Sequence, residues 1–429
     1  MSSELRLLWE SAGGKIPGEW DIVPLEALFR DPKSIAVGVM YPGTHAPGGV
    51  PLIKVGDIKG GVISTAPDFC ISEEVNHEYR RSQLVGDELL ITLVGNPGEC
   101  VVVTPEMAGW NPARAIAVMK LKDTELRTYV KTVLESAAGR HLIDSVLNTT
   151  VQKTLNLKDI RRLPIPIPTR ASIRSISEMA EAFSDRITLL RETNTTLEAI
   201  AQAMFKSWFV DFDPVHAKIQ GLAPEGVDEA TAALFPDSFE ESALGPVPKG
   251  WRIGRLDDLL VLQRGFDLPA QDRTPGDFPI IAASGPSGTH HKSMVKGPGV
   301  VTGRSGVLGR VFLELEDFWP LNTTLWVKEF KAATPCYAYE VLRLLDFKSF
   351  NAGSAVPSLN RNHIHGLPYL LPTRTCVDTF EGIASQIHRR CRVNEKQAQN
   401  LVDIRDALLP RLISGQLRIS DTPNEIQGV

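Results

Sequence analysis

One segment of this chain occurs twice, 204 residues apart. Residues 155–168 run Leu155-Asn156-Leu157-Lys158-Asp159-Ile160-Arg161-Arg162-Leu163-Pro164 and on to Pro168. Residues 359–372 run Leu359-Asn360-Arg361-Asn362-His363-Ile364-His365-Gly366-Leu367-Pro368 and on to Pro372. Leu, Asn, Ile, Leu and two Pro recur in register, and a long helical pattern follows each copy. A chain that repeats a joint and the helix behind it folds as two related modules. Two such modules point to a protein that engages its target in two parts.

The helical patterns are heptads. Behind Pro168, apolar residues fall at Ile173, Ile176, Ala180, Phe183, Ile187, Leu190, Leu197, Ala201, Met204 and Trp208, with Asn194 interrupting the stripe. Alternating steps of three and four give the 3.5-residue period of a coiled coil. The same offset lands on Val377, Phe380, Ala384, Ile387, Cys391, Asn394, Ala398, Leu401, Arg405, Leu408 and Leu412, a stripe made impure by Asn394 and Arg405. Ile383, Ile404 and Leu409 offer a shifted or wider face. A helix of ~40 residues is ~60 Å long and gains most of its stability by burying such a face. The simplest partner for each stripe is the other, antiparallel. Phe183, Ile187, Leu190, Asn194, Leu197, Met204, Trp208, Ile387, Leu401, Leu408 and Leu412 are therefore candidates for helix pairing or partner docking. Asn194 either fixes register at a core position or faces solvent where the stripe drifts.

Upstream of the joint the modules correspond at three further stations. Ile16-Pro17-Gly18-Glu19-Trp20 matches Val247-Pro248-Lys249-Gly250-Trp251. Gly95-Asn96-Pro97-Gly98 matches Gly306-Val307-Leu308-Gly309, each between β-branched runs. Asn111-Pro112 matches Trp319-Pro320. β-Branched runs punctuated by Gly and Pro indicate strands with turns. Tyr129–Ser145 and Cys336–Phe350 have helical patterns. The expected fold is mixed, α+β: two pseudo-repeated α/β recognition domains separated by a pair of long antiparallel coiled-coil helices. The expected bounds are 1–168 and 247–372 for the modules and 169–212 and 373–417 for the helices. A linker at 213–246, too apolar to be free and expected along the surface, and a tail at 418–429 complete the chain.

The chain has 429 residues, 43% hydrophobic and 23% charged, without a run of ~18 apolar residues or an apolar leader at Met1-Ser2-Ser3-Glu4-Leu5-Arg6. Five scattered cysteines without a CxxC pair fit free thiols in a reducing cytoplasm, the expected location. A net charge of −5 does not advertise nucleic-acid binding, but affinity for phosphate depends on local patches.

Catalytic patterns are missing. No phosphate-binding Gly-x-x-x-x-Gly-Lys-[Ser/Thr] loop occurs. Asn111-Pro112-Ala113-Arg114 departs at its third and fourth positions from the Asn-Pro-Pro-aromatic loop of DNA adenine methyltransferases. His290-His291 and His363-x-His365 lack a carboxylate or Cys partner at metal-site spacing, which favours surface or DNA-facing roles. The Gly-x-x-Gly pairs fit tight turns better than phosphate cradles.

Binding remains. Arg and Lys suit guanine edges and phosphates, and Asn suits adenine. Candidates for DNA contact are Lys54, Lys59, Arg80, Arg81, Asn96 and Arg114 in the first module. In the second they are Arg264, His290, His291, Lys292, Arg304, Ser305, Asn360 and Arg361.

Together these patterns resemble the specificity subunit of a type I restriction–modification system. The resemblance covers nearly the whole chain. It rests on both joints with their helices, both Gly-x-x-Gly stations, residues 199–239 with Met204-Phe205-Lys206-Ser207-Trp208-Phe209-Val210-Asp211-Phe212-Asp213-Pro214, and the ending Leu408-Leu409-Pro410-Arg411-Leu412-Ile413-Ser414-Gly415-Gln416-Leu417. It implies a non-catalytic DNA-recognition subunit of a methyltransferase–endonuclease complex. Each module would read one half of a split, asymmetric site in double-stranded DNA. The helices would act as a spacer and dock two methyltransferase subunits, with restriction/translocase subunits joining through the complex. S-adenosylmethionine, ATP and Mg²⁺ would belong to those partners, with no cofactor or metal bound by this chain and no membrane involved. The alternatives are a two-module DNA-binding or scaffold protein outside restriction, such as an orphan regulatory or antirestriction factor, and an enzyme with its own catalytic site.

Overall fold

The structure is a computed structural model that describes residues 2–63, 65–147, 153–350 and 358–417. The expected tail at 418–429 lies outside them. The chain divides into two compact units. One comprises Met1–Leu189 with Ala398–Val429, the other Leu190–Gln397.

In the first unit, β1 (Asp21–Pro24) pairs with β9 (Pro164–Ile167). A four-stranded antiparallel sheet orders β2 (Ile35–Val37), β8 (Ile116–Met119), β5 (Leu89–Thr92) and β6 (Cys100–Val102). A three-stranded sheet orders β4 (Cys70–Ile71), β3 (Val50–Ile53) and β7 (Asn111–Pro112), with β3 and β7 parallel. The central strands β5 and β8 are buried on both faces, and strand alternation sends their side chains into two cores. Leu89, Ile91, Ala117 and Met119 meet Tyr129 and Val133 on one side. Leu90, Ile116 and Val118 meet Ile53 and Val101 on the other.

The second unit repeats this plan strand for strand. β12 (Arg252–Arg255) pairs with β20 (Pro368–Leu371). The larger sheet orders β13 (Leu260–Arg264), β19 (Thr324–Phe330), β16 (Gly299–Gly303) and β17 (Val311–Glu314). The smaller orders β15 (Gly285–His290), β14 (Phe278–Ala282) and β18 (Trp319–Pro320), with β14 and β18 again parallel. In each unit the Gly-x-x-Gly pair is a turn. Gly95, Gly98, Gly306 and Gly309 all have φ between 85° and 88°. That left-handed region favours glycine, so turn chemistry accounts for both pairs.

Where the sequence pattern suggests one helix over Tyr129–Ser145, two occur, Leu126–Glu135 and Ala137–Ser145. Ser136 breaks the run and caps the second helix, its hydroxyl accepting from Gly139 N. In the second unit the helix is Pro335–Leu344, followed by a short 3-10 turn.

The linker expected along the surface also reaches inward. A hairpin of β10 (Phe239–Glu240) and β11 (Val247–Pro248) and a helix at Asp213–Ile219 flank it. Val215 and Phe235 are buried in the second unit's main core. Lys218 clamps the turn from Ala232 to Phe235 by donating to both carbonyls. The two apolar side chains gain more from burial than an exposed strap could provide.

The two long helices span Arg170–Phe209 and Arg374–Ile413, 40 residues each, so the offset of 204 holds at both ends. Thr169 caps the first, its hydroxyl accepting from Ser172 N at 3.2 Å. Each unit contains part of both helices, running antiparallel. In the first unit, Ile173 and Ile176 share a core with Leu412 and Ile413. In the second, Phe205 and Trp208 share one with Val377 and Phe380. Glu181 accepts from the Thr128 hydroxyl in one unit, and Glu381 accepts from Cys336 N in the other. Each bond ties a module helix to a long helix.

Asn194 takes the register role. It is buried, and its Nδ2 donates to Cys391 O at 2.9 Å. Asn394, an impurity in the second stripe, is its partner: 1% exposed, it donates from Nδ2 to Asn194 Oδ1 at 2.8 Å. Replacing Asn394 with Leu would leave buried Asn194 Oδ1 without its donor, at an expected cost of about 1–3 kcal/mol. Replacing both with Leu is expected to restore or exceed wild-type stability while loosening register. A double-mutant cycle by denaturant unfolding measures both.

Candidate nucleic-acid interface

The sequence candidates sort onto two ends of the sheets. In the first unit the C-terminal ends of β2, β3 and β5 gather with the start of β8. Val39 bridges Ala113, and Arg114 N donates to Val39 O at 2.9 Å. Gly95 lies against Val55, with only 3.4 Å between its hypothetical Cβ and Val55 Cγ1. Exposed Lys54, Asn96 and Arg114 therefore share this end. Lys54 Nζ sits 3.8 Å from the centre of the Phe69 ring, and Asn96 Nδ2 donates to Glu99 Oε2. Lys59 flanks the same turns, because Glu99 also accepts from Gly61 N. Tyr41, absent from the sequence candidates, is exposed two residues beyond Val39.

Arg80 and Arg81 are exposed but lie elsewhere. Arg81 reaches Lys33 O, before the start of β2, at the opposite end.

The second unit builds the equivalent end with more arginine. Arg264 closes β13, and Phe266 N donates to Pro320 O. Arg304 N and Ser305 N both donate to Thr323 O, and Arg304 Nη1 donates to Asn322 O at 3.1 Å. Leu359 N donates to Arg304 O, which brings Asn360 and Arg361 alongside. Arg361 Nη1 reaches Leu262 O, and the Asn360 side chain caps its own short helix. Arg310, missed in the sequence, joins them through Ser284 O. Asp267 accepts from both Arg264 and Asn322. The signal for Asp267 was its i,i+3 spacing from Arg264. For Asn322 it was its place behind the Trp319-Pro320 station.

The two histidines part company. His290, the last residue of β15, is 4% exposed, bonded to the Thr274 backbone and edge-on to Trp319. It is not a surface residue, and the expectation of DNA contact is withdrawn for it. His291, one residue past the strand, is exposed with its ring 4.4 Å from that of His290, and exposed Lys292 follows. Both lie at the end away from Arg264, because His290 pairs with Phe278 at the start of β14.

On the long helices, Ile187, Leu190, Asn194, Trp208 and Leu412 are buried, and Phe183, Leu197, Met204, Ile387, Leu401 and Leu408 are half-buried. Asn194 pairs with Asn394, Met204 and Trp208 join the second unit's main core, and Leu412 joins the first unit's. Arg405, half-buried, pairs with neighbouring Asp406. Ile383 and Ile404, considered as a shifted core face, are instead exposed.

A buried polar cluster in the second unit escaped the sequence. Glu340 pairs with Arg343 at 3.1 Å, and the Arg343 guanidinium lies 5.1 Å from the Tyr339 ring. His388 meets that ring edge-on. Burial, aided by Arg343, depresses the His388 pKa to about 4, so the ring is neutral near pH 7. Burial raises Glu340. These groups hold the Pro335–Leu344 helix against the long helices. Among the described residues, no group of three or more His, Cys, Asp or Glu is placed to hold a metal.

Mixed-sheet modules of one topology, each carried on part of an antiparallel pair of long helices, make this a protein of two repeated modules. No family model matches the sequence. The chain is 21% identical to the specificity subunit of the type I restriction enzyme MjaIX of Methanocaldococcus jannaschii, over 95% of this chain and 96% of that protein. It is 24% identical to the HindI specificity subunit of Haemophilus influenzae, over 69% and 76% of the two chains. With the EcoBI specificity subunit of Escherichia coli it shares 28% identity over 44% and 42%. The crystal structure of a type I restriction-modification S subunit from M. genitalium has the same fold, with a TM-score of 0.58 and 15% identity over 93% of this chain and 97% of that one. The chain belongs to the specificity subunits of type I restriction–modification systems, which determine the DNA target site and are non-catalytic. The family binds no cofactor itself. Among the described residues, no helix is long and apolar enough to cross a membrane.

Proposed function

We propose that residues 1–168 and 247–372 each read one half of a bipartite, asymmetric DNA site through the loop ends that carry Lys54, Asn96 and Arg114, and Arg264, Arg304 and Arg361. The observation behind this reading is the repeated topology, which delivers polar and basic loops to the same end of each unit while the loops themselves differ. Shared scaffold with divergent loops is what reading two different half-sites requires. The second end gathers Arg264, Arg304, Arg310 and Arg361, with Asp267 accepting from Arg264, whereas the first carries Lys54, Lys59 and Arg114.

The helices act as a spacer and dock two methyltransferase subunits. The docking face consists of exposed apolar residues of the pair, Ile404 in one unit and Ile200, Ile383 and Val393 in the other. S-adenosylmethionine, ATP and Mg²⁺ act in those methyltransferase subunits and in restriction/translocase subunits, and the complex works in the cytoplasm. Partner subunits complete the positive clamp that a chain of net charge −5 lacks.

Exchanging residues 245–372 for the same module of another family member tests the reading. Methylation-site mapping of a host carrying the hybrid is expected to show one half-site changed and the other kept. A change in both half-sites would contradict it.

A further inference from the structure

We propose that Asp267 is a positioning residue for base readout in the second unit, holding the Arg264 guanidinium to face a guanine. The inference rests on the reading that this end of the unit meets DNA, and it adds the base class and the residue that enforces it.

An acidic side chain among arginines on a DNA-facing end is costly, because it repels the phosphate backbone. Asp267 is exposed beside Arg264, on the end that also carries Arg304 and Arg310, and its geometry supplies the compensation. One carboxylate oxygen, Oδ1, accepts from Arg264 Nη2 at 3.3 Å and also from Asn322 Nδ2. Arg304 Nη1 in turn donates to Asn322 O, and Ala283 N donates to the neighbouring Thr323 hydroxyl. Asp267 is thus braced by a segment fixed to two strands, and Arg264 is braced by Asp267.

Guanidinium is a rigid planar fork. With one hydrogen of Nη2 engaged by Asp267, one parallel pair of N–H groups remains, from Nη1 and Nη2 or from Nε and Nη2. That pair matches O6 and N7 of guanine in the major groove, whereas a freely rotating Arg264 would also serve any nearby phosphate. The carboxylate thus gives up backbone attraction and gains orientation.

The test uses the chain assembled with its methyltransferase subunits. Competition binding compares the cognate duplex, duplexes changed at single base pairs of the second half-site, and an unrelated duplex. Asp267→Ala is expected to lower discrimination at one G·C pair by about tenfold while strengthening binding to the unrelated duplex. Asp267→Asn keeps an acceptor without the charge and is expected to recover part of that discrimination. Arg264→Ala is expected to lose discrimination at the same pair. Thermal unfolding is expected to be unchanged throughout, since these side chains are exposed. Unchanged discrimination in Asp267→Ala, with loss in Arg264→Ala, overturns the positioning role and leaves the reading end standing. No effect of Arg264→Ala on any duplex overturns the reading end itself. Weakening by Arg264→Ala that is uniform across duplexes makes Arg264 a phosphate contact and overturns the proposal.

Discussion

Replacing Trp208 with Ala is expected to destabilise the second unit by about 3–5 kcal/mol, the range for removing a large buried aromatic. Trp208 stands edge-on to Phe235 at 5.3 Å and to Phe380 at 6.3 Å. Phe205 and Phe209, beside it, meet Tyr337, Phe380 and Trp251. One aromatic cluster therefore joins the end of the first long helix, the linker, the opening of the module, its Pro335–Leu344 helix and the start of the second long helix. The rings gain both buried area and edge-to-face contact. A domain is stable by only about 5–15 kcal/mol, so this single loss is a large fraction of the whole. Ile200→Ala, on the exposed side of the same helix, is expected to change stability by less than about 0.5 kcal/mol. Thermal unfolding of the full chain compares the two. A Trp208→Ala variant as stable as Ile200→Ala would show that the aromatic cluster does not hold these elements together.

The heptad stripe and the repeated joint were legible because helix period and proline placement are local properties. The strands were legible for the same reason, from β-branched runs between Gly and Pro. The Asn194–Asn394 pair was not. Aligning the copies by the offset of 204 matches residues in parallel sense, whereas contact partners in an antiparallel pair run in opposite senses. Asn394 therefore stood as a flaw in its own stripe, and only the packed register reveals it as the partner of Asn194. Loop residues failed for another reason. His290 and His291 are neighbours with the same chemistry, yet His290 is packed on Trp319 and the Thr274 backbone while His291, just past the end of β15, covers it from the solvent side. Arg81 and Arg114 look alike in sequence, yet hydrogen bonds to Lys33 O and Val39 O send them to opposite ends of the sheets. Val215 and Phe235 lie in a stretch whose apolar content argued against a free linker without showing which side chains turn inward.

Removing one heptad from each long helix, residues 184–190 and 395–401, is expected to shorten the recognised gap by about three base pairs and leave both half-sites unchanged. In an antiparallel pair these segments lie on the same side of the Asn194–Asn394 contact, which the deletion keeps. Seven residues are two turns at the 3.5-residue period, so the apolar stripes stay in phase. Each helix loses about 10 Å at 1.5 Å per residue, which corresponds to about three base steps of 3.4 Å. Three base pairs also rotate one half-site against the other by about a third of a turn, given 10–10.5 base pairs per turn. The shortened protein must therefore twist its DNA or bind it with only one module fully engaged, so its affinity for the new site is expected to fall below that of the parent for the old one. Methylation-site mapping gives the gap, and binding at fixed salt gives the affinity. Deleting the heptad from the first helix alone slips the stripes past each other and places an apolar residue opposite Asn394, so that variant is expected to lose stability instead of acquiring a new gap. An unchanged gap in the paired deletion would mean that the DNA spacing is set by the modules or the partner subunits and not by the length of these helices.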